Sequence, residues 1–230
     1  MRILQINSSI RIILFHVFKK ETIILSKLSP IEKEKILEII KPLNFTLDDF
    51  FFQKEFSDKE ERSIISEIIK SGVDALSINR LLDWKQFENI IATIFDQNGF
   101  TVITNFRFKD EFTRYEIDVL AFKYPYLFII DCKYHKKASS AMFKDAAYKQ
   151  KKRAEILLEM FPILSDELIR KLFLPLKRKL LIIPLVISWR DHIVQFQQDI
   201  AILPYQQLPG FLQEIDEYRD NLYLLNLYLE

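Results

Sequence analysis

The chain has 230 residues, a net charge of +1 and one cysteine, and its 49% hydrophobic and 28% charged residues exclude a disordered or fibrous chain. The lone Cys132 excludes an intrachain disulfide and a cysteine-rich zinc site. Gly72, Gly99 and Gly210 are the only glycines and lie far apart, which excludes a GxGxxG turn or a phosphate-cradling P-loop.

Residues 2–6 and 10–18 read as two short strands. Arg2, Arg11 and His16 interrupt the apolar start and no small-residue cleavage site follows, so no signal peptide is expected. A run of ~18 uncharged apolar residues is also absent, so no membrane span is expected and the cytoplasm is the default location. Ser29-Pro30-Ile31-Glu32 has the form of an N-cap, a first-turn proline and a capping-box acid, predicting a helix to about Lys41. Ser57-Asp58-Lys59-Glu60 repeats the box ahead of Ile64, Ile65, Ile68 and Ile69 at helical spacing, with Gly72 as the stop. Ile31–Asp74 holds seven basic and eleven acidic residues, a poor balance for gripping phosphates. Residues 1–80 therefore read as a mostly helical docking or dimerisation region, with a protein partner or a second copy as its occupant.

From Leu82 the pattern changes. Asp83 caps a predicted helix to Asn98, closed by Gly99. Strand-like runs follow at 101–108, 115–123 and 126–134, then a long helix at about 138–160 and a further one near 165–173. Strands at 179–188 and 199–204 and a helix at about 206–218 complete the order. Residues 81–230 thus read as a mixed α/β domain with helices on a sheet, the first three strands antiparallel and the next reached by a crossover.

The helix over 83–98 has an apolar stripe of Trp84, Phe87, Ile91, Ile94 and Phe95, and Glu88 falls inside it. That carboxylate either reaches solvent at the flank or faces a group that needs it. The run 115–122 is apolar on both faces apart from Glu116 and Asp118, as in a buried central strand. The next strand ends in Asp131-Cys132-Lys133, where alternation puts Asp131 and Lys133 on one face and Cys132 on the other. A hairpin of this length brings Asp118 beside Asp131. Buried carboxylates are costly unless paired or bound to a cation. Two readings stand: a salt-bridge cluster, or a Mg²⁺ site with Lys133 beside it. Cys132 reads as a small core residue and His135 as a surface histidine.

This ordered set resembles the PD-(D/E)XK nuclease superfamily. Phe87-Glu88, Gly99-Phe100, Glu116-Ile117-Asp118-Val119 and Asp131-Cys132-Lys133 are similar to its Mrr-like restriction nucleases and archaeal Holliday junction resolvases, over about residues 82–205. The resemblance implies a restriction-endonuclease-like core. It implies Asp118 and Asp131 as metal ligands, Glu88 as the supporting helix carboxylate and Lys133 as the catalytic lysine. Mg²⁺, or Mn²⁺ in its place, would be the cofactor. Ile117 stands where the family often has proline, and Glu116 fits the acidic position less well than Asp118. The helix after the lysine often lends such sites a polar residue, which nominates Gln150. Gln150 and Arg153 lie in line with Met142, Ala146, Leu157 and Met160, a placement that points toward the sheet.

Lys133–Arg153 carries eight basic residues and one acid, Asp145. Lys136, Lys137, Lys144, Lys151, Lys152 and Arg153 are the expected phosphate contacts. The expectation is a metal-dependent DNA endonuclease of repair, recombination or restriction, with a homodimer suited to cutting two strands. The alternatives are an RNA-directed nuclease, since phosphate contacts do not distinguish the two, and a non-catalytic binding or scaffold module of the same fold.

Overall fold

The computed structural model describes residues 8–20, 23–53, 55–71, 84–134, 139–190 and 194–229. The expected strand at 2–6, the stop at Gly72, the cap at Asp83, and His135, Lys136, Lys137 and His192 lie outside the described residues. The chain divides into two compact units, residues 1–93 and 94–230.

The first unit is helical. Among the described residues its helices are α1 (Ser8–Lys19), α2 (Pro30–Ile40), α3 (Leu47–Phe52), α4 (Asp58–Lys70) and the first part of α5 (Trp84–Gln97). The expected strand at 10–18 is instead part of α1. Its β-branched and aromatic residues favour a strand locally, but Ile10, Ile13, Leu14 and Val17 recur at helical spacing and all four are buried. Both capping boxes form. Ser29 Oγ accepts the Glu32 N–H while the Glu32 carboxylate accepts the Ser29 N–H at 2.9 Å, and Ser57 and Glu60 repeat the exchange. Ile36, Ile40, Phe50, Ile64, Ile65 and Ile68 are buried completely. Asn89 Nδ2 donates to Glu61 Oε2 at 2.9 Å, joining α5 to α4.

The second unit is built on a mixed sheet of seven strands: β1 (Thr101–Lys109), β2 (Arg114–Lys123), β3 (Tyr126–Lys133), β4 (Lys179–Ser188), β5 (Gln195–Gln197), β6 (Ile200–Pro204) and β7 (Leu225–Tyr228). The order is β1-β2-β3-β4-β6-β5, with β7 on the first half of β4. β1, β2 and β3 form an antiparallel meander, whereas β3, β4 and β6 are parallel. β4 is buried on both faces from Leu180 onward, as a central strand should be.

The crossover from β3 to β4 is one helix, α6 (Ser140–Leu172), where two were expected. Pro162 lies inside it. A proline removes one helical bond, but the buried stripe Ala154, Leu157, Phe161, Leu168 and Leu172 continues past it and packs with Leu120, Leu127, Ile129 and Ile182 of the sheet. That shared core holds the helix together. The expected last helix is broken into a turn at Tyr205–Gln207, α7 (Leu208–Gln213) and α8 (Ile215–Tyr218). β5 and β7, three and four residues long, were not expected. No helix among the described residues is long and apolar enough to cross a membrane.

Candidate active site

The β2–β3 ladder runs from Lys123 opposite Tyr126 to Val119 opposite Ile130. Asp118 and Asp131 are the next residues on the two strands, at the point where the ladder ends. β3 continues beside β4 as far as Lys133 opposite Ser188. Asp131 and Lys133 therefore stay on a paired strand while β2 leaves it.

A backbone feature accompanies this parting. On the far side of β2, Thr104 pairs with Val119 and Phe106 with Ile117, which leaves Asn105 opposite Asp118. Asn105 has φ +54°, in the left-handed region that asparagine tolerates better than most residues. The inward face changes there. Leu120 and Phe122 on one side of Asp118 and Ile117 on the other enter the same core, although their positions differ in parity. Nothing in the sequence marks Asn105 for this place.

Asp118 Oδ2 accepts the backbone N–H of Cys132 at 2.7 Å. Burial, and then the charge of Asp131, pushes its carboxyl up to about 6; the Cys132 N–H, Arg153 and Lys133 act in the opposite direction. Asp131 is held on both oxygens. Lys133 Nζ lies 2.6 Å from Oδ2, and Arg153 Nη1 lies 3.2 Å from Oδ1. The group is formally balanced, with two carboxylates and two cations, and Asp131 is only 5% exposed.

Gln150 and Arg153 reach the sheet from α6. Gln150 is wholly buried, donates from Nε2 to the Ile129 carbonyl at 2.7 Å, and accepts from Arg153 Nη1 on Oε1. Arg153 thus has a different place from the solvent-facing phosphate contact that its basic neighbours suggested. Lys144 and Lys152 are exposed on α6, whereas Lys151 is half-buried with its Nζ 4.2 Å from the Tyr223 ring centre. The Cys132 N–H and the pairing of Arg153 with Asp131 are the contributions to the site that sequence reasoning missed. A backbone donor leaves no trace in sequence, although the alignment of Arg153 with the inner face of α6 was a signal.

Glu88 is 5% exposed, so it does not reach solvent as a flank residue would. It belongs to the first unit. Trp84, expected in the buried stripe of the same helix, is 60% exposed at the first turn. Among the described residues, no three His, Cys, Asp or Glu side chains are grouped to hold a metal ion.

Residues 83–186 match the nuclease-related domain, NERD. The matched segment contains Asp118, Asp131, Lys133, Gln150 and Arg153. A 29% identical stretch of 137 residues is shared with an uncharacterized protein of Archaeoglobus fulgidus, covering 59% of this chain and 93% of that one. Two solved structures are more distant. Protein AF1548, of unknown function, gives a TM-score of 0.28 at 13% identity over 56% of this chain and 54% of its own. Protein VC1899 from Vibrio cholerae gives 0.35 at 12% identity, over 94% and 58%. The chain spans just over half the length of each solved protein. The match is to a nuclease-related domain and names neither a substrate nor a metal.

Proposed function

We propose that this chain is a metal-dependent nuclease of PD-(D/E)XK type that hydrolyses phosphodiester bonds of DNA as an endonuclease. The observation that carries the reading is the proximity of the Asp118 and Asp131 carboxylates just past the end of the β2–β3 ladder, with Lys133 Nζ 2.6 Å from Asp131. The nuclease-related match over residues 83–186 supports it. The finer likeness to Mrr-like nucleases and junction resolvases rests on the motif phrases alone.

The donor set fits one hard cation. Mg²⁺ binds through one or two carboxylates and completes its shell with water and substrate phosphate. A carboxyl raised to about 6 by burial and a neighbouring charge is a site where a cation offsets an existing cost. Asp118 and Asp131 would hold Mg²⁺ or Mn²⁺, which supplies Lewis acidity and a more acidic bound water. Lys133, 26% exposed at its side chain, has access to an incoming phosphate and can neutralise charge that develops on it. Its exchange of Asp131 for phosphate is the movement the reading requires. Glu88 enters the proposal through its order in the motif only. The exposed Lys144 and Lys152 supply phosphate contacts, with Lys136 and Lys137 assigned by sequence. Residues 1–80 are proposed as a docking or dimerisation region on the strength of their acidic balance.

One observation favours a second reading, a non-catalytic module of the same fold. Both oxygens of Asp131 already have cationic partners within the chain, as in a structural salt-bridge cluster. Cleavage separates the two readings. The test is a panel of labelled duplex, single-stranded, flap and four-way-junction DNA with matching RNA, incubated with Mg²⁺, Mn²⁺ or EDTA. Metal-dependent cutting of DNA that Asp131→Ala abolishes is the expected result. DNA binding without cutting selects the scaffold module, and cutting confined to RNA replaces the substrate class.

A further inference from the structure

We propose that Arg153 is a positioning residue of the cleavage centre rather than a DNA contact, and that it acts as a pair with Gln150. The inference rests on the nuclease reading of Asp118, Asp131 and Lys133. In sequence Arg153 closes a basic run, Lys149 to Arg153, and looks like one more phosphate-binding cation. Its surroundings differ from those of the run. Lys149 pairs along the helix with Asp145 at 2.7 Å, Lys151 lies against Tyr223, and Lys152 is exposed. Arg153 instead turns inward, and its side chain is 20% exposed.

The contacts form a closed relay. It starts at the Ile129 carbonyl, which accepts from Gln150 Nε2 at 2.7 Å. Gln150 Oε1 accepts from Arg153 Nη1, and the same Nη1 donates to Asp131 Oδ1 at 3.2 Å. The two ends of the relay lie on β3, two residues apart, so α6 is fastened to the strand that carries Asp131 and Lys133. Gln150 has no exposed surface and cannot touch a substrate. Bonding of its Nε2 to a main-chain carbonyl orients the amide, so its oxygen faces a donor. Arginine suits that place because its planar fork presents several fixed N–H groups, whereas a lysine is a single flexible point charge.

The consequence is a division of labour on one carboxylate. Arg153 holds Oδ1 and sets the rotation of the group, which leaves Oδ2 toward Lys133 at 2.6 Å. If Lys133 moves to a phosphate, Arg153 keeps Asp131 in register. A loss of Arg153 should therefore slow the chemical step and leave DNA affinity alone.

The test compares the full-length wild type with Arg153→Met, Arg153→Lys and Gln150→Leu. DNA affinity is measured in EDTA across a salt series, and the single-turnover rate is measured in Mg²⁺ over a range of protein concentrations. The expected result is DNA affinity within about 2-fold, an unchanged salt slope and an unchanged half-saturation, with the saturating rate down on the order of 10–100-fold, the range typical of lost groups that orient metal ligands. Gln150→Leu should show the same loss, and Arg153→Lys should restore only part of the rate. Weaker DNA binding in EDTA by Arg153→Met, with a salt slope lower by about 1, would make Arg153 a phosphate contact and overturn the proposal. A double-mutant cycle of Arg153→Met with Asp131→Asn in urea unfolding reads the clamp without activity. Coupling in a wild type that cuts nothing removes the nuclease reading and keeps the clamp. Absence of coupling removes the clamp whatever the activity. If Arg153→Met does not fold, Arg153→Lys carries the same comparisons.

Discussion

The carboxylate of Asp118, the residue next to the last β2–β3 pair of Val119 with Ile130, accepts the backbone N–H of Cys132 at 2.7 Å. The side chain takes over from the ladder and keeps the two strands together at the site. It also satisfies a main-chain donor that the parting of the strands would otherwise strand. The same bond holds Asp118 close enough to Asp131 for the two charges to oppose each other.

That opposition predicts a cost visible in stability. The Asp118 carboxyl is pushed up to about 6 in the folded protein, above the ~3.9 of an unfolded chain. The folded state therefore binds the extra proton between about pH 4 and 6. The stabilisation this gives is complete below pH ~4 and is lost as the pH rises through about 6. Asp118→Asn keeps an acceptor for the Cys132 N–H and removes the charge. In urea unfolding it should be more stable than wild type at pH 7.5, by about 3 kcal/mol, with the advantage largely gone at pH 4. Equal stability at both pH values would show that Asp118 carries no such burden.

Metal binding should follow the carboxylates. Calorimetric titration of Mn²⁺ into wild type should show one ion bound. Asp118→Asn and Asp131→Asn should each weaken it at least on the order of 10-fold, because Mg²⁺-like sites of this kind have few protein ligands. Binding that neither substitution disturbs would place the ion elsewhere.

The lysines of α6 should separate by environment. Lys144→Ala and Lys152→Ala remove exposed cations, and each should lower the salt slope of DNA binding by about 1. Lys151→Ala should do less, since its ammonium already lies on the Tyr223 ring. A uniform effect of all three would mean that Lys151 leaves the ring to meet DNA.

Pro162 offers a test of the fold alone. It is exposed inside α6 and denies the helix one bond. Pro162→Ala should stabilise the protein by roughly 1–3 kcal/mol in thermal or urea unfolding. No change would indicate that the helix is interrupted there.

Much of this arrangement was legible in the sequence, for physical reasons. The capping boxes at Ser29 and Ser57 are local chemistry, and local chemistry is written in adjacent residues. β1, β2 and β3 are runs of β-branched and aromatic residues bounded by polar turns, so their existence, and the shared parity of Asp131 and Lys133, could be read directly. The failures are cases where distant packing decides. Residues 10–18 satisfy strand propensity and helical spacing at once, and burial of Ile10, Ile13, Leu14 and Val17 selects the helix. Pro162 is a local stop signal that the core around Phe161 and Leu168 overrides. The pairing of Arg153 with Asp131 spans 22 positions. Its sequence neighbours are lysines, and composition grouped it with them.

In the proposed function Asp131 and Lys133 form a cleavage centre. Its most direct test is the single-turnover rate of Lys133→Ala beside wild type, on the best DNA substrate, in Mg²⁺, with both proteins saturated. The expected result is a fall of at least about 10²-fold, as when a donor to developing charge is removed, with DNA affinity in EDTA within a few-fold of wild type. An unchanged rate for Lys133→Ala in a preparation that cuts only with metal would contradict it, and would assign the cutting to other residues.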